Sequence, residues 1–110
     1  MLNFSEIIKK YLEEEYRLNV EKLFDFELDS DGGSWGQFKY RDTEGGTYTQ
    51  IISYKMLVLW LISGASSYTL KTIDDDNDKK IRMLKYLDKQ TAYQIGVICK
   101  DCGYKVVYVF

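Results

Sequence analysis

The sequence predicts an α+β fold: one small domain over 1–110, with an antiparallel sheet packed against about three helices. The sheet is expected as a three-stranded meander plus a C-terminal hairpin, giving the order α-β-β-β-α-β-α-β-β. Three observations lead there. Apolar residues recur at helical spacing at the start of the chain, then alternate with period two, and Gly-containing clusters punctuate the alternating part. At 110 residues and 45% hydrophobic composition, the chain can build one core without disulfide staples. No repeat, linker or low-complexity segment interrupts it.

Asn3 and Glu6 have the spacing of a capping box, and Phe4, Ile7, Ile8, Tyr11 and Leu12 follow as one apolar stripe. This predicts a helix from Phe4 to about Arg17. Phe24, Phe26 and Leu28 then alternate with acids on what should be one face of a strand. Residues 29–34 are turn chemistry, and 35–41 alternate again, with Phe38 and Tyr40 opposed to Gln37, Lys39 and Arg41. A second turn at 42–46 leads to a third β-prone run at 47–52. Ser53 can cap a short helix over 54–62 that is apolar nearly all round and so buried on most sides, with Gly64 as its stop. Residues 68–73 read as a strand. Ile81, Leu84 and Leu87 predict a helix over 79–90, with Asp74, Asp75, Asp76 and Asp78 at its N-terminus and Lys85 and Lys89 near its end, as the helix dipole favours. Strands at 93–99 and 104–110 would close a hairpin around Lys100-Asp101-Cys102-Gly103.

His and Pro are both absent. Without His there is no Ser-His-Asp or Cys-His nucleophile, no imidazole base and no His-ligated metal. The net charge of −2 and pI near 5.1 give no basic face, so direct nucleic-acid binding is not the first expectation. The start lacks the basic and continuous apolar regions of a secretory signal, and the longest apolar run, 56–62, falls far short of the roughly 20 residues a membrane helix needs. A cytoplasmic protein is expected, with no membrane partner. Residues with AT-rich codons (Phe, Tyr, Met, Ile, Asn, Lys) far outnumber Gly, Ala, Arg and Pro. Such a bias is common in low-GC bacteria and their phages and plasmids.

Cys99-Lys100-Asp101-Cys102-Gly103-Tyr104 is the sharpest motif. On a hairpin turn it resembles half of a zinc ribbon, but a ribbon needs four ligands and no further Cys or His exists. Zinc would have to be shared, with Cys99 and Cys102 contributed by each of two chains. A redox pair would sit at a helix N-terminus instead. The plainer reading is a small core residue, Cys99, followed by a turn residue, Cys102, with no cofactor. Asp29-Ser30-Asp31-Gly32 resembles part of a calcium loop, but the position requiring a bidentate Glu is Phe38. The acids at 74–78 could hold Mg²⁺; helix capping explains them with less. Gly32-Gly33-Ser34-Trp35-Gly36 matches no phosphate-binding fingerprint.

The first expectation is therefore a non-enzymatic protein-binding module, monomeric or homodimeric. Its concrete form would be a small phage or mobile-element inhibitor of the anti-CRISPR or anti-restriction type, which occupies a surface of a host or defence protein. Ten Tyr and two Trp suit a recognition surface. Residues 21–46 carry seven acids against three bases, which points to a partner with a basic surface. The expected partner-binding residues are Glu27, Asp29, Asp31, Trp35, Tyr40, Asp42, Glu44 and Tyr48. Two alternatives remain: a zinc-linked homodimer binding nucleic acid through Lys100, Tyr104, Lys105 and Tyr108, and a small carboxylate- or thiol-dependent enzyme.

Overall fold

Asn3 opens the first helix as the capping box requires. Its side chain accepts from the Glu6 N–H at 2.9 Å, and its own N–H donates to the Glu6 carboxylate at 3.2 Å. The computed structural model describes residues 3–28, 35–63, 70–75, 78–83 and 87–109. Helix α1 (Phe4–Glu15) buries the five-residue stripe read from the sequence. It ends two residues earlier than expected because Arg17 takes a left-handed φ of 54°, and the Leu18 N–H turns back to the Leu12 carbonyl at 3.3 Å.

Strands β1 (Val20–Leu28), β2 (Trp35–Asp42) and β3 (Thr47–Ser53) form the expected antiparallel meander, with β2 central. Along β2 burial alternates strictly, with Phe38 and Tyr40 inward and Trp35, Gln37, Lys39 and Arg41 outward. Phe24 departs from its expected face. The register with β2 slips between Leu23 and Asp25, so Phe24 is the extra residue of a bulge and lies half exposed. Helix α2 (Tyr54–Ile62) starts at Ser53, whose hydroxyl accepts from the Met56 N–H at 3.4 Å. It buries Tyr54, Leu57, Val58, Trp60 and Leu61 and leaves Met56 and Leu59 exposed. Gly64, its expected stop, lies outside the described residues.

The α+β class and the three helices are as expected; past α2, strand and helix exchange places. Strand β4 (Leu70–Asp75) is followed by a second strand, β5 (Asp78–Met83), where a helix over 79–90 was expected. Helix α3 (Lys89–Asp101) then occupies the span expected as the strand 93–99, and β6 (Lys105–Tyr108) closes the chain. The observed order is α-β-β-β-α-β-β-α-β. Asp74, Asp75 and Asp78 do not cap a helix: Asp74 and Asp75 pair with Lys79 and Asp78 across β4 and β5, and Asp76 lies outside the described residues. The helix cap is Asp88, whose carboxylate accepts from the Thr91 N–H at 2.8 Å and the Thr91 hydroxyl at 3.0 Å. From there Thr91, Ala92, Ile95, Ile98 and Cys99 are buried at helical spacing, which outweighs the β preference of the Ile and Val residues.

The strands form two three-stranded sheets instead of one. In the second, β4 and β5 are antiparallel while β5 and β6 run parallel, so the expected C-terminal hairpin is replaced by a crossover through α3. The helices link the sheets: α1 contacts β1 and α3, α2 contacts β3, β4 and α3, and α3 contacts β6. One buried cluster runs from Phe4 to Cys99 and draws on every element from α1 to α3. No described helix is long and apolar enough to cross a membrane.

Candidate protein interface

Two connections meet at one end of the meander. The Asp42 carboxylate holds the β2–β3 turn from inside, accepting from the Gly46 N–H at 2.7 Å and the Glu44 N–H at 3.1 Å. Asp at this position supplies the turn acceptor, and Gly45, at φ 88°, supplies the left-handed residue. The Thr43 N–H then donates to the Asn19 carbonyl at 3.0 Å, which ties this turn to the segment leaving α1. Between them lies an open cleft of about 340 Å³ lined by Arg17, Leu18, Asn19, Tyr40, Asp42, Thr43, Glu44 and Tyr48.

An aromatic pair forms its wall. Tyr40 and Tyr48 are register partners across β2 and β3, with ring centroids 5.6 Å apart and tilted by 30°. Tyr48 also covers Gly46, where a Cβ would fall 2.7 Å from the phenol oxygen, so only Gly leaves the ring its place. Burial above all, and then the Asp42 carboxylate and Tyr48, push the Tyr40 hydroxyl above its ordinary pKa and keep it a neutral donor. Glu44 is exposed at the rim. Arg17 also lines the cleft, and among the described residues no ion pair holds its guanidinium. With Arg17 counted, the lining carries two carboxylates against one guanidinium, and this net negative charge beside two aromatic rings suits a cationic side chain, by ion pairing and by contact with the ring faces.

Four of the eight expected partner-binding residues, Tyr40, Asp42, Glu44 and Tyr48, thus line one cleft. Trp35 does not join them. It stands at the other end of β2 on the opposite face, exposed, and that face carries Gln37, Lys39 and Arg41 further along the strand where an acidic rim was expected. Lys39 reaches one acid there, Asp25, at 3.9 Å. Glu27 pairs in register with Gln37; Asp29 and Asp31 lie outside the described residues. Arg17, Leu18, Asn19 and Thr43 were missed. Their only local signal is the end of the helical stripe, and a left-handed Arg is not readable from sequence, where Asn19 would be the better candidate.

The cysteine motif is a helix stop, which corrects the zinc-knuckle geometry. The Tyr104 N–H donates to the Cys99 carbonyl and the Gly103 N–H to the Lys100 carbonyl, both at 3.0 Å, with Gly103 at φ 91°. That is a Schellman motif with Cys102 as the C-cap. Cys99 is fully buried, and burial with Cys102 as neighbour pushes its thiol up to about 12. The helix C-terminus disfavours a thiolate further. Among the described residues no three Cys, Asp or Glu side chains converge as a metal site. Tyr108, expected to stack bases, packs instead edge-on against Tyr93 at 5.1 Å and over Gly96.

No protein-family model matches the chain, and comparison with curated proteins and with solved structures finds no match.

Proposed function

We propose that this protein is a non-enzymatic binding module that takes a basic side chain of another protein into the cleft between the α1–β1 connection and the β2–β3 turn. The observation that carries this reading is the junction of the Tyr40–Tyr48 pair with Asp42 and Glu44 in one cleft of about 340 Å³. The walls are set before any partner arrives, by the turn bonds of Asp42 and the Thr43–Asn19 tie, so little ordering opposes binding. The cleft lining holds no nucleophile paired with a base, which favours recognition over catalysis. The specific form we favour is an inhibitor of phage or mobile-element origin that covers a basic surface of a host or defence protein, acting in the cytoplasm. Two free thiols suit that compartment.

The experiment is a comparative capture. Wild type, a Glu44→Lys/Tyr48→Ala double variant and a Trp35→Ala variant are immobilised against one and the same low-GC bacterial lysate. A specific partner retained by wild type and by Trp35→Ala, and lost by the double variant, is the expected result. A partner lost with Trp35→Ala and kept by the double variant would move the interface to the outer face of the meander.

A further inference from the structure

Among the described residues no strand pairs with the outer edge of β3, and the backbone groups on that edge can be assigned. The Asp42 N–H donates to the Gly46 carbonyl at 2.9 Å, and the unbroken register below it pairs Tyr40 with Tyr48, Phe38 with Gln50 and Gly36 with Ile52. Antiparallel pairing alternates, so the backbone groups of Tyr48, Gln50 and Ile52 point toward β2. Those of Thr47, Thr49 and Ile51 point away from the sheet. Among the described residues, the one partner on that side is the chain's own Gln50 side chain, which donates to the Ile51 carbonyl at 3.2 Å.

Free edges are normally blunted by charge, bulges or shortness. Strand β1 carries four charged residues and two register shifts. Strand β4 carries Lys71, Asp74 and Asp75, and β6 is four residues long and begins at Lys105. Strand β3, Thr-Tyr-Thr-Gln-Ile-Ile-Ser, has none of these protections: seven residues with no charge, no Gly and no register shift. Ile51 is 56% exposed on it.

We infer that β3 pairs with β3 of a second copy of this chain, antiparallel about a two-fold axis at Gln50, joining two meanders into one six-stranded sheet. In that register Thr49 meets the partner's Ile51 as a hydrogen-bonded pair, once on each side of the axis. These are the residues whose backbone groups point outward. Tyr48 faces the partner's Ile52, and the two Gln50 side chains meet at the axis, where each amide can leave its own Ile51 carbonyl for the other amide. No like charges oppose one another. The same operation on β1 would set Glu21 against Glu27. One strand pair is a small contact, so self-association is concentration-dependent rather than obligate. It does not depend on what the cleft binds.

Sedimentation equilibrium from about 10 µM to about 1 mM, with amide hydrogen exchange at both ends of the range, tests it. Wild type is expected to pass from monomer to dimer, with the Thr49 and Ile51 amides slowing as the dimer forms. Ile51→Lys places a charge on the exposed edge without entering the core and should weaken association tenfold or more. Trp35→Lys, equally exposed on the same face but on the central strand, should leave it unchanged, as should Glu44→Lys in the cleft. A monomer throughout the range, a dimer indifferent to Ile51→Lys, or a dimer whose Thr49 and Ile51 amides exchange as in the monomer would each overturn the proposal.

Discussion

Tyr40 and Tyr48 sit opposite each other across β2 and β3, yet Tyr40 is 6% exposed and Tyr48 is 50% exposed. The same aromatic pair therefore serves the core with one ring and the surface with the other. Tyr40→Ala opens a cavity beneath the meander and should cost about 3 kcal/mol in urea unfolding. Tyr48→Ala should cost below about 1 kcal/mol while still weakening partner binding, chiefly by faster dissociation. Equal stability losses for the two variants would show that the rings are not divided in this way.

Asp42 and Glu44 are both acids of one turn with different tasks. Asp42→Ala removes the acceptor of two backbone N–H groups and should cost about 1–2 kcal/mol. Glu44→Ala should leave stability within about 0.5 kcal/mol of wild type. Its effect belongs to association: a slower on-rate to a basic partner and a weaker salt dependence. Stopped-flow binding across salt concentrations, with urea midpoints for both variants, separates the two roles.

Gly96 in the middle of α3 lies under Tyr108, whose phenol group occupies the place a Cβ would take. Gly96→Ala should therefore destabilise by about 1–3 kcal/mol despite the better helix propensity of Ala. In the Tyr108→Phe background the loss should shrink, because the hydroxyl is the nearest atom. A double-mutant cycle measures the coupling, and an additive pair would mean the ring moves aside freely. Leu57, fully buried on α2, gives the reference: Leu57→Ala should cost about 2–5 kcal/mol.

From α1 to α2 the order of elements was legible because three boundaries there have their own local chemistry. Asn3 and Glu6 form the capping box, Ser53 caps α2, and Asp42 with Gly45 makes the turn. After α2 the signals compete. Ile81, Leu84 and Leu87 have helical spacing, but Ile81 is buried on a strand whose neighbours Lys80 and Arg82 pair outward in register. Conversely, Ile95, Val97 and Ile98 favour strand by composition, while burial at 91, 92, 95, 98 and 99 follows a helix once Asp88 has capped it. Cys99-x-x-Cys102-Gly103 was read as a hairpin turn, and it ends a helix instead. The cleft was half visible: Tyr40, Asp42, Glu44 and Tyr48 are close in sequence, whereas Arg17 and Asn19 reach them through the Val20–Asp42 pairing and the Thr43–Asn19 bond.

Cys99 should make the protein sensitive to alkali. Burial, and after it the neighbouring Cys102, raises its thiol from 9.0 to about 12 in the folded chain. Below pH 9 both folded and unfolded chains keep the proton, and the thiol's contribution to stability is fully present. Above pH 9 the unfolded chain ionises while the folded one does not, so stability falls as pH rises toward 12, by up to about 1.4 kcal/mol per unit. Buried Tyr11, also raised above its ordinary 10.0, acts in the same direction at higher pH. Cys99→Ala removes the thiol and leaves a small cavity, so it should be less stable than wild type at pH 8. The gap should close as pH rises from 8 to about 10.5, because only wild type has this proton to lose. Urea midpoints for both proteins across that range provide the measurement. A constant gap would mean that the Cys99 thiol titrates alike in the folded and unfolded chains, and that the end of α3 is open to water.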